Sequence, residues 1–154
     1  MTDKIEEIMN TKDLTKEAPR SPRFRLGGYS LLARMIDKGR ASLQEKSGEY
    51  HYACPLDQQL LGFKSIDAEQ FLSVLRTDAT DEEIVAWIGM NGIPKSAEEI
   101  SAWSDQVDSW NMYNDPEKRE WYIGECEKLG LDAATTTLPE YLEADDAATF
   151  PVAA

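Results

Sequence analysis

Soft metal ligands are scarce in this sequence: its 154 residues include one histidine, His51, and two cysteines, Cys54 and Cys126. Neither a Cys-x-x-Cys nor a His-x-x-x-His spacing occurs, so no metal centre is expected and no cofactor is implied. The chain also lacks any run approaching the ~20 apolar residues that a membrane-spanning helix needs. No apolar stretch of signal-peptide length follows Met1, which leads to an expectation of reduced thiols in the cytoplasm. Cations are few as well, with 16 Lys and Arg against 29 Asp and Glu and a formal net charge of -13. General nucleic-acid binding is disfavoured on that ground, because neutralising phosphates takes a cationic surplus. Absent too are a phosphate-loop Gly-Lys-Ser/Thr signature and a Gly-x-Gly-x-x-Gly pattern, so nothing marks a nucleotide site.

What cationic charge there is collects in one place. Between Arg20 and Lys46 stand seven cations (Arg20, Arg23, Arg25, Arg34, Lys38, Arg40, Lys46) against two anions, Asp37 and Glu45. Pro19 and Pro22 bias their preceding residues away from helix, so this arginine segment is expected to be extended as it reaches Gly27 and Gly28. From Leu26 the residues Tyr29, Leu32, Ala33, Ile36 and Leu43 recur at helical intervals, with Arg34, Asp37, Lys38 and Arg40 falling mostly between them. Gly39 lies inside that helix at a cost of roughly 1 kcal/mol relative to alanine, permitting either a kink or a close neighbour.

Glu49 to Cys54 alternates like a short strand, with Tyr50, Tyr52 and Cys54 on one face and Glu49, His51 and Ala53 on the other. Leu56 to Phe63 reads as a short apolar turn of helix. Beyond it, helix-start signals recur, each a cap residue with Glu or Gln three places on: Asp67 with Gln70, Thr80 with Glu83, Ser96 with Glu99. Asp115-Pro116 opens a further helix through Trp121 and Tyr122 to a stop at Gly130. Thr137 to Leu142 offers one last turn. The expected architecture is mainly α, a single-domain helical bundle over residues 13–143 with at most a small β element at 49–54. A mobile arm is expected over 1–12 and a flexible tail over 144–154. A chain of this length removes roughly 70% of its surface from water on folding, enough for an ordinary core without disulfides.

Three functional readings follow. In the leading one, Arg20, Arg23, Arg25 and the Gly27 and Gly28 amides at a helix entry hold a small anion, with Tyr29, Tyr50 and His51 lining the pocket. Its plainer counterpart has the arginines paired with acidic helices of the same fold. In the second, His51 is a base oriented by Glu49 and Cys54 is a possible nucleophile, although a strand would turn His51 and Cys54 to opposite faces. In the third, Ile100, Trp103, Val107 and Trp110 form a seam that joins two chains, a homodimer through the Trp103 and Trp110 helix face.

Several blocks resemble a known family: Pro-Arg-Ser-Pro-Arg (19 to 23), Leu-Gly-Gly (26 to 28), Ala-Arg-Met-Ile-Asp-Lys (33 to 38), Gly-Glu-Tyr-His (48 to 51) and Cys-Pro-Leu-Asp (54 to 57). Together with Asp13-Leu-Thr and Ile-Asp-Ala (66 to 68) they are similar to the bacterial domain-of-unknown-function family 5069. The resemblance implies a bacterial, cytoplasmic, self-contained domain and brings no known activity. The family pattern often has an asparagine where this chain has Ala53.

Overall fold

The computed structural model describes residues 11–151. Among them are seven α-helices, labelled here in chain order: α1 (Leu32–Leu43), α2 (Pro55–Lys64), α3 (Ala68–Leu75), α4 (Asp81–Met90), α5 (Ala97–Asp108), α6 (Arg119–Lys128) and α7 (Leu138–Thr149). The mainly α expectation is met, and no strand occurs among the described residues; a lone bridge pairs Leu26 with Tyr29. The expected arm over 1–12 falls almost wholly outside the described residues.

The caps behave as their residue types dictate. Thr80, Ser96 and Thr137 each form a reciprocal capping box, with Glu83, Glu99 and Glu140, at the starts of α4, α5 and α7. Asp67 accepts from the amides of Glu69 and Gln70 at the start of α3.

α1 is the centre of the molecule. Every residue from Leu32 to Gly39 is buried, including Arg34, Asp37 and Lys38. Its apolar side, Leu32, Met35 and Ile36, packs with Leu60 and Leu61 of α2, Phe71 and Leu75 of α3, Ile84 and Ile88 of α4, and Val107 of α5. A second, smaller cluster gathers Tyr122 and Cys126 of α6, Ala133, and Leu138 and Tyr141 of α7. Leu56 and Trp110 pack against both clusters and join them.

Three local expectations are corrected. α1 begins at Leu32 rather than near Leu26, because Gly27 (φ 59°) and Gly28 (φ 88°) take left-handed conformations in a tight turn closed by reciprocal Leu26 and Tyr29 backbone hydrogen bonds. The strand over 49–54 is replaced by turns, since Ala53 itself has φ 60° and its N–H donates to the Asp57 carboxylate at 2.9 Å. Tyr52 and Cys54 are thereby taken out of any strand alternation. The chain from 144 is not a loose tail: α7 runs on to Thr149, held by a buried Asp146. Residues 152–154 of that expected tail lie outside the described residues.

The seam from Ile100 to Trp110 packs against the main core of its own chain. Trp103 stacks on Phe63 with ring centroids 4.8 Å apart, and Val107 is fully buried in the main core. Ile100, Trp103 and Trp110 pack on the same core and are partly buried.

Candidate functional site

The polar residues of α1 are the starting point, because burying them demands partners. Each finds one from a different part of the chain. Asp37 receives Arg20 through Nε at 3.1 Å and through the Arg20 backbone N–H at 2.8 Å. Arg20 also reaches Asp81 of α4 at 2.8 Å, and Arg40 binds the same carboxylate at 3.0 Å. Arg34 forms a bidentate pair with Asp146 of α7, at 2.8 and 3.2 Å, and Tyr50 donates to that same carboxylate at 2.8 Å. Burial, then the Asp146 carboxylate, hold the Tyr50 phenol well above its ordinary range.

The arginine segment is thus a strap of internal ion pairs. Arg23 pairs with Glu143 of α7, its Nε 3.0 Å from Oε2. Arg25 meets Asp105 and Asp108 of α5, both at 2.8 Å. Gly27 and Gly28 make the turn, the Gly28 carbonyl accepts from Ser104, and Tyr29 is buried in the core. Arg20, Arg23 and Arg25 pair with five carboxylates, Asp37 and Asp81, Glu143, and Asp105 and Asp108 respectively, and share none of them. Two surface clefts, about 380 Å³ beside Arg40 and Arg76 and about 490 Å³ between Lys16 and Phe150, include neither Gly27, Gly28, His51 nor Cys54 among their lining residues.

The remaining cation of α1, Lys38, has the most chemically loaded surroundings. Its ammonium lies 2.9 Å from Asp57 Oδ2 and 3.2 Å from Cys54 Sγ. The side chains of Lys38 and Asp57 are 6% and 2% exposed, whereas Cys54 is half-buried. Burial pushes the Asp57 carboxyl up, and the Lys38 charge and hydrogen bond pull against it. Cys54 is the N-cap residue of α2, with Pro55 at the first helical position, and its side chain makes no capping bond to the helix amides.

Gly39 lets this arrangement close. A Cβ there would overlap Leu75 Cδ1 and crowd the Tyr52 ring at 3.3 Å, so glycine lets the 50–53 turn and α3 lie directly on α1. Tyr52 then bonds the Ala68 carbonyl at 2.7 Å, and Cys54 arrives over Lys38.

Lys38, Cys54 and Asp57 sit inside the blocks that carried the family resemblance. A family model described as a domain of unknown function, DUF5069, matches residues 16–148. The chain belongs to that family. No curated protein matches the DUF5069 chain at a significant level.

In this DUF5069 domain the expected base, His51, is exposed, as is Glu49. The residue beside Cys54 is Lys38. Sequence reasoning missed Lys38 because periodicity placed it between apolar positions, where a lysine ordinarily lies in water. A usable signal existed: Lys38 closes the block 33 to 38, and Cys54 and Asp57 bracket the block 54 to 57.

Proposed function

We propose that the domain works through Cys54 as a thiolate that reacts with small oxidants or electrophiles, with Lys38 and Asp57 setting its charge environment. The observation that supports this is the Lys38 Nζ to Cys54 Sγ distance of 3.2 Å at a helix N-cap. An ammonium beside sulfur stabilises the anionic form, and the thiolate is the reactive species. Asp57 keeps the ammonium in place and accepts the Ala53 N–H, which fixes the backbone immediately before the sulfur.

The anion reading at Arg20, Arg23 and Arg25 draws no such support, as an anion there would have to displace Asp37, Asp81, Glu143, Asp105 or Asp108. The thiolate reading is tested by timed iodoacetamide alkylation of the native protein, followed peptide by peptide. Cys54 is expected to label at least ~10-fold faster than Cys126 near neutral pH. Equal, slow labelling of both would overturn it.

A further inference from the structure

Lys38 and Cys54 are 16 residues apart in sequence, on different helices, yet the nitrogen of one already touches the sulfur of the other. Lys38 is held there from its far side by Asp57 and is almost wholly shielded from water. Such an amine has no competing partner besides the carboxylate, and an oxidised sulfur at Cys54 forms directly against it. We infer that hydrogen peroxide joins Lys38 Nζ to Cys54 Sγ through a single oxygen atom, giving a reversible covalent clasp between α1 and the start of α2. The inference rests on the thiolate reading above.

The chemistry balances with two equivalents of peroxide. In the first step the sulfur attacks one peroxide oxygen; the O–O bond breaks, an S–O bond forms, and Cys54 becomes a sulfenic acid with release of one water. The sulfur has then lost two electrons and that peroxide has gained them. Lys38 next passes its ammonium proton to Asp57, to which it is already bonded, and is left as a neutral amine. Burial of Asp57, which raises its proton affinity, helps that transfer. In the second step the sulfenic oxygen and Nζ become bonded, the O–H and one N–H hydrogen leave, and the second peroxide takes two electrons and both hydrogens as two waters. The linked pair has gained one oxygen and lost two hydrogens relative to thiol and amine. One bridging atom spans the existing gap with less movement than a direct nitrogen to sulfur bond, which would pull Lys38 off Asp57.

Mass spectrometry of the full chain after graded hydrogen peroxide tests this. The expected product has one oxygen more and two hydrogens fewer, tryptic peptides bearing Lys38 and Cys54 run as one linked species, and dithiothreitol restores both. Its melting temperature rises and falls back on reduction, because the link closes a loop in the unfolded chain. Lys38→Arg keeps the cation but removes the primary amine; it is expected to lose the link while Cys54 still forms a dimedone-reactive sulfenic acid. Wild-type protein alone decides the matter if that variant does not fold. Rapid oxidation of Cys54 to sulfenic or sulfinic acid with Lys38 unlinked overturns the clasp and leaves the thiolate reading standing. A link that loses two hydrogens without gaining oxygen overturns the bridge. No oxidation of Cys54 at all overturns both.

Discussion

Cys126 is wholly buried between aromatic rings, whereas Cys54 is half-buried with an ammonium 3.2 Å from its sulfur. Burial pushes the Cys126 thiol up, with nearby Asp132 and Glu125 adding to the rise. Its cluster, with Tyr122 and Tyr141 packed edge to face 5.6 Å apart, is a small hydrophobic core in which the sulfur is shut away from water and meets the Tyr122 hydroxyl. The Cys54 region is built in the opposite way, from charges that the fold has buried and then matched. The contrast teaches that the same residue type takes its chemistry from the charge and water around it.

The largest break in that comparison is Lys38→Met. It leaves Asp57 buried without its counter-ion, a loss of about 3–5 kcal/mol by urea denaturation. If enough protein stays folded, iodoacetamide labelling of Cys54 falls toward the Cys126 rate; a rate that stays fast would assign the reactivity to exposure alone. Next in size is the cysteine pair itself. Cys126→Ser places a hydroxyl in an apolar cluster and is expected to cost about 1–3 kcal/mol, while Cys54→Ser changes stability by less than ~0.5 kcal/mol, both read from the midpoint of unfolding. Ala53→Gly relieves a left-handed alanine and is expected to stabilise by about 1 kcal/mol. Thermal unfolding at fixed pH checks this, and a fall in melting temperature would show that the alanine side chain contributes packing.

The smallest effect lies away from both cysteines and serves as their control. Arg23, exposed on the surface strap, holds the Glu143 carboxyl below its usual range by hydrogen bonding and charge. A depressed carboxylate contributes stability that is present above its unfolded pKa, near 4.3, and is lost as pH falls through the lower folded value. Arg23→Ala is therefore expected to cost under ~1 kcal/mol near pH 7, to make the acid limb of a stability profile shallower, and to leave both alkylation rates unchanged.

Much of the fold was legible in the sequence because helix caps are local chemistry. Thr80 and Ser96 announce two helix starts, and each forms the reciprocal bonds its spacing promises. The 49–54 segment was misleading because alternating tyrosines imitate a strand, while the Ala53 turn is imposed from outside, by Asp57 and by packing on Gly39. An asparagine at position 53 would have signalled that left-handed residue. The extent of α7 was hidden for a similar reason: Ala144 to Thr149 carries little hydrophobic period, and what holds it is Asp146 reaching Arg34. The site was least legible of all. Lys38, Cys54 and Asp57 are individually unremarkable residues whose meaning comes from a contact between helices, and no spacing rule encodes that.

Arg34 and Asp146 are 112 residues apart. As the chain leaves a ribosome, α1 is complete long before its last counter-ion exists, and its guanidinium must wait in water until α7 has been made. Closing the central helix without α7 would strand that charge. A chain truncated before α7 is therefore expected to keep α1 partly hydrated and to be cut by added protease faster than the full chain.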